Sequence, residues 1–140
     1  MSEKAPYVLD HQVGYLMRLA SQRHAAIFQA HMTHDLTPTQ FAMLVRLGEV
    51  GRGSQNQLGR LTAMDVATAK GVVDRLLAKG LVTLSQDETD GRRHVIELSP
   101  EGERLLPELM RLGAEITRET MEPLTPRDRA TLVRLLHRLG

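Results

Sequence analysis

Apolar residues recur at three- and four-residue intervals along most of the chain, and this spacing predicts amphipathic helices. Most of these apolar runs follow a residue whose side chain can cap the start of a helix. The predicted helices lie at about 9–32, 38–50, 55–61, 66–79, 100–121 and 126–139, and the capping residues are Thr37, Ser54, Asp65, Ser99 and Thr125. The pattern therefore predicts a mainly helical chain.

The pattern changes to short β-strands after the fourth predicted helix. Gly80 stands where a glycine commonly follows a helix end, and strands are predicted at Leu81–Ser85 and His94–Leu98. The polar loop between them contains Gly91, which suits the tip of a hairpin. Two short helices followed by a hairpin form a winged helix-turn-helix. The predicted fold class is therefore mainly α with a small β-hairpin wing (α+β).

The terminal helices carry more apolar surface than one small chain can bury. Residues 9–34 place apolar side chains on one helix face, and residues 99–139 do the same in two helices. An unpartnered apolar face of this size normally marks an interface. The sequence predicts a C2 homodimer in which 9–34 and 99–139 of both chains intertwine, while 37–98 form the DNA-binding lobe. All of these segments belong to a single predicted domain, 1–140.

The stretch from Asp74 to Gly102 resembles the signature region of the MarR (multiple antibiotic resistance regulator) family. The matching parts are Asp74-Arg75-Leu76, Lys79-Gly80-Leu81-Val82, Asp90-x-Arg92 and Leu98-Ser99-Pro100-Glu101-Gly102, the last in place of the usual Leu-Thr-x-x-Gly. The resemblance covers nearly the whole chain. It implies a regulator that binds double-stranded DNA and represses transcription by occupying a pseudo-palindromic promoter site.

Position within the motif selects the residues expected to contact DNA. The first turns of a recognition helix meet base edges and phosphates, and a β-ribbon tipped with arginine can reach the minor groove. Gly71 would let the helix backbone approach DNA closely, although glycine costs helix stability. The DNA-binding candidates are Gln55, Asn56, Thr68, Lys70, Gly71, Arg75, Arg92 and Arg93.

Two of these arginine assignments have structural alternatives. The resemblance implies that the Asp74-Arg75 pair often braces the helix against the wing. Asp90 stands two residues before Arg92 and can orient it through an ion pair. One wing arginine would then be structural, while the other reaches the minor groove.

MarR-like proteins are usually released from DNA by small ligands, often aromatic acids, held between the dimer helices and the DNA-reading lobe. Arg18 can hold a carboxylate through two parallel hydrogen bonds, and Tyr15 and His11 are expected on the same helix face. His24 and Met43 complete the candidate ligand-binding set. The alternatives are a solvated helix face or inter-protomer contacts for the first three residues, a core histidine for His24 and a core methionine for Met43. The expected effector is an aromatic carboxylate or its thioester.

Composition excludes several other classes of protein. The net charge is +1, so DNA binding depends on where the basic groups lie. Absence of cysteine excludes disulfides, thiolate metal sites and a thiol redox sensor. The aromatic content of 3% disfavours single-strand binding by base stacking. No apolar run approaches the length of a membrane span, which predicts a cytoplasmic protein.

Two other functions remain open from the residues alone. His31-x-x-His34, followed by Asp35, has a spacing that could place two imidazoles on zinc. A winged helix can also serve as a protein-interaction module without specific DNA binding. The sequence has no Gly-rich phosphate loop, nucleophile elbow or His-Glu-x-x-His run, so we expect neither an enzyme nor a resident cofactor.

Overall fold

A computed structural model of the protein describes residues 5–89, 91 and 93–140. The elements in this part of the chain are a 3-10 turn (Leu9–His11), α1 (Val13–His31), α2 (Pro38–Val50), β1 (Arg52–Gly53), α3 (Gln55–Leu61), α4 (Val66–Ala78), β2 (Val82–Gln86), β3 (His94–Leu98), α5 (Pro100–Thr120) and α6 (Pro126–Leu139). They form two compact units. The first unit combines the residues up to His31 with Ala114–Gly140, and the second is Met32–Gly113. The predicted mainly helical fold with a small wing is confirmed.

Helix starts follow the predicted caps because capping is a local interaction. The Thr37 hydroxyl accepts from the Gln40 N–H at 3.3 Å, and Gln40 Oε1 accepts from the Thr37 N–H at 3.4 Å. Ser54 and Gln57 form the same reciprocal pair at the start of α3. Each pair satisfies two N–H groups that a helix end would otherwise leave without partners.

The prediction of one continuous helix over residues 9–32 was wrong. Residues 9–11 form a separate 3-10 turn, and Gln12 adopts an extended backbone (φ −91°, ψ 130°) before α1 begins at Val13. The carbonyl of Gln12 accepts from the Leu16 N–H at 3.0 Å, and its side-chain amide donates to the carbonyl of Val8 at 2.9 Å. Gln12 therefore ends the turn and starts the helix, although the apolar spacing continues across it.

The wing belongs to a three-stranded sheet within the described residues, one strand more than predicted. The order is β1-β3-β2, and β1 pairs antiparallel with β3 through Arg52 opposite Glu97 and Gly53 opposite Ile96. Strand β2 begins at Val82 because Leu81 completes the end of α4. The Leu81 N–H donates to the carbonyl of Leu76 at 3.1 Å, and Gly80 takes the left-handed conformation that this helix ending requires (φ +72°).

The core of the second unit holds the helix-turn-helix and the wing together. Its largest fully buried side chains come from α2, α3, α4, β3 and α5, and they are Met43, Leu44, Leu47, Leu58, Leu76, Ile96 and Leu109. The start of α5 lies directly against the end of α4: a Cβ on Gly102 would lie 2.2 Å from the carbonyl oxygen of Leu81. Only glycine fits there, so the helix that follows the wing packs directly against the end of the helix that precedes it.

In the first unit, side-chain bonds join the middle of α1 to the C-terminal end of α5. The Arg23 guanidinium donates to the main-chain carbonyls of Thr120 and, at 2.9 Å, Glu119. These bonds satisfy carbonyls that the end of α5 leaves without helical partners. The unit buries Ile27, Phe28 and Ile116, whereas α6, which the structure describes in full, buries none of its residues.

Candidate functional site

The turn between α3 and α4 brings the two helices close together. Ala63 adopts a left-handed backbone (φ +55°), and the Met64 N–H donates to the carbonyl of Gly59 at 2.8 Å. A Cβ built on Gly59 would lie 3.2 Å from the Cβ of Ala69 and 3.3 Å from the carbonyl oxygen of Met64. Gly59 thus permits the close packing of this helix-turn-helix. Sequence reasoning had given it no role.

The first turn of α4 is fixed by Asp65. Its carboxylate accepts from the Thr68 N–H at 2.7 Å. Hydrogen bonds from the backbone and the hydroxyl of Thr68 hold the pKa of Asp65 below its ordinary value. An ionised carboxylate here satisfies a free N–H and lies favourably at the positive end of the helix dipole. The predicted cap is confirmed.

One face of α4 is buried and the opposite face carries the predicted DNA-binding residues. Ala69, Val72, Val73 and Leu76 are buried, while Thr68, Lys70 and Arg75 are exposed and Gly71 is half-buried. The Lys70 ammonium pairs with Asp74 one turn along, with Nζ 2.8 Å from Oδ2. A single face of the helix therefore presents two cations and a hydroxyl to solvent.

Arg75 lies against Gly71 on the same helix. Its Nη1 lies 3.4 Å from the carbonyl oxygen of Gly71, and a Cβ on Gly71 would come 3.1 Å from that nitrogen. The absence of a side chain at Gly71 therefore leaves room for the guanidinium. Asp74 pairs with Lys70, so the Asp74 and Arg75 side chains have separate partners.

The hairpin loop is organised by Asp87. Its N–H donates to the carbonyl of Arg93 at 2.8 Å, and its carboxylate accepts from the N–H (3.0 Å) and the hydroxyl (2.8 Å) of Thr89. These Thr89 bonds lower the pKa of Asp87, with a further contribution from the charges of Arg52 and Arg93. Arg52 therefore joins the basic groups at the wing, because β1 carries it there. Asp90 and Arg92 lie outside the described residues.

A cleft of about 580 Å³ lies between α3, α4 and the hairpin of the second unit. It brings together three of the predicted DNA-binding residues, Gln55, Asn56 and Arg93, and adds Arg60 and His94. The α4 residues on its wall are Val73, Asp74 and Leu77. Thr68, Lys70, Gly71 and Arg75 lie outside its lining, so the predicted residues occupy two neighbouring parts of one lobe.

The predicted ligand-binding residues are divided between the two units. In the first unit, the guanidinium carbon of Arg18 lies 5.5 Å from the centroid of the Tyr15 ring, a cation–π contact. His11 is exposed in the 3-10 turn that precedes α1, and His24 Nδ1 lies 2.8 Å from the Thr120 hydroxyl. Met43 is fully buried in the core of the second unit. The geometry brings Arg18 and Tyr15 together, and the ligand-binding roles remain predictions.

The two histidines of the zinc interpretation have other neighbours. His31 contacts the carboxylate of Glu119 in the first unit. His34 belongs to the second unit, where its Nδ1 lies 2.9 Å from the Thr33 hydroxyl. Across residues 5–89, 91 and 93–140, no group of three or more His, Cys, Asp or Glu side chains is placed to hold a metal ion. No helix in the same residues is long and apolar enough to cross a membrane.

Comparison with known proteins identifies several similar chains. Residues 34–93 match the model of the MarR family. The chain is 38% identical to the HTH-type transcriptional repressor NicR of Pseudomonas putida over 98% of this chain and 87% of that one. A crystal structure of a probable transcriptional regulator from Pseudomonas aeruginosa has a TM-score of 0.91 and 51% identity, covering 95% of this chain and 100% of the other.

A second solved structure adds information about regulation. It belongs to a study of the mechanism by which 6-hydroxynicotinic acid regulates DNA binding of Bordetella bronchiseptica BpsR. That protein is 38% identical to this chain, with a TM-score of 0.90 and coverage of 96% and 97% of the two chains.

Proposed function

Because the chain belongs to the MarR family, we propose that it binds double-stranded promoter DNA as a homodimer and represses transcription until a small aromatic acid releases it. The observation that carries this proposal is the exposed face of α4, which presents Thr68, Lys70 and Arg75 beside a wing that bears Arg93. An α-helix fits the major groove, and basic groups on a thin ribbon suit the adjacent minor groove. We expect this binding to occur in the cytoplasm.

Within the second unit, the two parts of the lobe have different expected roles. Thr68, Lys70 and Gly71 would meet base edges and phosphates from the first turns of α4. Gln55 and Asn56, at the start of α3, would contact phosphates together with Arg60. Arg93 would approach the minor groove. The nearby carboxylate of Asp87 would offset part of the positive charge of Arg93. Phosphate contacts give affinity, whereas the base contacts specify the operator.

The exposed apolar residues of the first unit support the homodimer. They lie on the residues that lead into α1, on α1 itself and on α6, with 37–76% of each surface exposed: Tyr7, Val8, Leu9, Val13, Leu16, Met17, Leu19, Leu132, Val133, Leu135, Leu136 and Leu139. Single exposed apolar residues are normal, but their concentration on these three stretches of one unit supports an interface there. A C2 dimer would present two copies of α4 to a palindromic site.

The effector is proposed to be an aromatic or heteroaromatic carboxylic acid, or its thioester. Arg18 and Tyr15 supply a cation beside an aromatic ring, which suits a planar ligand with one carboxylate. The relation to BpsR supports an acid of the 6-hydroxynicotinic type. Release follows if the ligand binds a dimer geometry whose two α4 helices no longer match the spacing of the half-sites. The ligand can shift that equilibrium only by its differential affinity for the two geometries.

Fluorescence anisotropy with the DNA upstream of the chain's own gene tests this function. We expect saturable binding that a scrambled duplex does not reproduce, and a higher Kd when 6-hydroxynicotinic acid or a related aromatic acid is added. Weak binding that is equal on both duplexes would overturn the proposal and favour a winged-helix protein-interaction module. Addition of zinc in place of the acid tests the metal-responsive alternative.

Arg18→Ala tests the effector site separately. The substitution should raise the acid concentration needed for half-release by about tenfold or more, since a bidentate charged contact is lost. Arg104→Ala is the matched control, because Arg104 is exposed and pairs only one turn away with Glu101 on α5. Equal release of both variants by the acid would remove Arg18 from the effector site.

A further inference from the structure

The turn that precedes α2 contains two consecutive residues in a left-handed conformation. His34 has φ +62° and Asp35 has φ +52°, although neither is glycine. His and Asp adopt this conformation more readily than most side chains, but it still costs free energy. The turn is closed by the Leu36 N–H, which donates to the carbonyl of Thr33 at 3.2 Å, and Leu36 is buried in the core. This left-handed turn therefore needs support from elsewhere.

Lys79, at the C-terminal end of α4, supplies that support. Its ammonium donates to the carbonyl of His34 at 2.7 Å and to the carbonyl of Asp35 at 3.0 Å. Its own N–H donates to the carbonyl of Arg75 at 3.0 Å, so Lys79 itself is held at the helix end. One side chain thus bonds both carbonyls of the left-handed pair. Hydrogen bonds that involve a charged donor are stronger than those between neutral groups.

Further hydrogen bonds also hold this end of α4 in place. Gly80 continues the helix ending, with its N–H donating to the carbonyl of Leu77 at 3.0 Å. The Ser99 hydroxyl donates to the carbonyl of Gly80 at 2.6 Å and accepts from the Gly102 N–H at 3.0 Å. The end of α4 is therefore bonded both to the start of α5 and, through Lys79, to the left-handed turn.

The left-handed turn that Lys79 holds lies at the start of the second unit. The chain enters the second unit between His31 and Met32, so the left-handed turn is the first structure it forms there. A movement of the backbone at residues 31 and 32 would therefore move the carbonyls of His34 and Asp35 before it moved α2. Because Lys79 bonds both carbonyls, the same movement would also shift the end of α4.

We propose that Lys79 is a positioning residue for DNA recognition, which holds the left-handed turn and thereby ties α4 to the entry point of the second unit. Lys79 acts through the two carbonyls and not through DNA. This inference rests on the proposed function, because its consequence is measured as operator affinity. The inference gives the lysine of the Lys79-Gly80-Leu81 stretch a specific structural role in this chain.

Lys79→Met and Lys70→Met form a matched pair for the test, since both remove an ammonium from α4 or its end. Lys79→Met should weaken operator binding about tenfold through loss of the charged hydrogen bonds, with the slope of log Kd against log salt unchanged. Lys70→Met should reduce that slope by about 0.9, as expected for one lost phosphate contact. A reduced slope for Lys79→Met would overturn the proposal, because Lys79 would then be a DNA contact.

A second substitution tests the link to the left-handed turn. Glycine adopts positive φ without steric cost, so Asp35→Gly added to Lys79→Met should return most of the lost affinity. Asp35→Ala removes the same carboxylate without easing the backbone and should return none. Equal behaviour of the two double variants would overturn the proposal. If Lys79→Met does not fold, Lys79→Gln, which keeps a neutral donor, goes through the same comparison.

The wild-type protein separates this inference from the proposed function. Failure of the wild-type chain to bind its upstream DNA would overturn the function and the inference together. Specific wild-type binding with no effect of Lys79→Met would overturn the inference alone. Lys79→Arg retains charged donors and should bind more tightly than Lys79→Met.

Discussion

The Lys70 ammonium and the Asp74 carboxylate form an ion pair, with Nζ 2.8 Å from Oδ2, on the exposed face of α4. Both side chains are more than half exposed, at 66% and 56%, so the pair contributes little to folding. Its larger effect is expected on DNA, since the Asp74 carboxylate offsets part of the positive charge that Lys70 brings to a phosphate.

Asp74→Asn should therefore tighten DNA binding by roughly three- to tenfold at moderate salt, because one negative charge leaves a surface that faces the phosphates. Filter binding or anisotropy on operator and random duplexes measures the change. Glu101→Gln removes a similarly exposed carboxylate from an ion pair on α5 and should leave both affinities unaltered. Weaker operator binding by Asp74→Asn would mean that Asp74 holds Lys70 in its binding position.

Arg93→Ala should weaken operator binding and reduce the slope of log Kd against log salt by about 0.9, since a contact to the phosphate-lined groove is lost. A salt titration of the variant beside wild type provides the measurement. Arg104→Ala, which removes a surface arginine from α5, serves as the control. An unchanged slope for Arg93→Ala would exclude Arg93 from contact with DNA.

The cap of α4 predicts a pH dependence. Because hydrogen bonds from Thr68 lower the pKa of Asp65 in the folded chain, its stabilising effect is fully present above the unfolded pKa of about 3.9 and declines as pH falls through the lower folded pKa. Asp65→Ala should lower the Tm by about 4 °C at pH 7, with a smaller difference below pH 4. Asp65→Asn retains an acceptor and should keep most of the Tm. A pH-independent difference between wild type and Asp65→Ala would contradict this role.

Leu136→Glu should dissociate the homodimer and abolish tight operator binding together, because it places a charge on the apolar face of α6. Analytical ultracentrifugation gives the assembly state. Val50→Glu is the matched control, since Val50 is 44% exposed and Leu136 49%, but Val50 lies on α2 in the second unit, outside the predicted dimerisation segments. A dimeric Leu136→Glu protein would place the interface elsewhere.

Features that depend on adjacent residues could be predicted from the sequence. The starts of α2, α3, α4 and α6 follow from a side chain that bonds an N–H three residues later, at Thr37, Ser54, Asp65 and Thr125. The end of α4 at Gly80 follows from the same kind of local chemistry. These interactions need no knowledge of the rest of the fold.

Features that depend on distant residues were missed. Strand β1 has two residues, and its partner β3 lies more than 40 positions later, so nothing local marks it. Its consequence, the charge of Arg52 beside Asp87, was hidden for the same reason. The spacing around Gln12 is equally compatible with a helix and with a 3-10 turn. Periodicity also placed Met43 on an apolar face but gave no information on whether that face meets a ligand or the core.

The lack of buried residues on α6, a helix described along its whole length, has a consequence for genetics. If α6 is buried only against a second protomer, a cell with two different copies of the gene will assemble mixed dimers. A variant protomer with intact terminal helices and a defective α4 would still dimerise with a wild-type protomer. The mixed dimer would then bind the operator more weakly. Such alleles should behave as dominant in a cell that also expresses the unaltered gene.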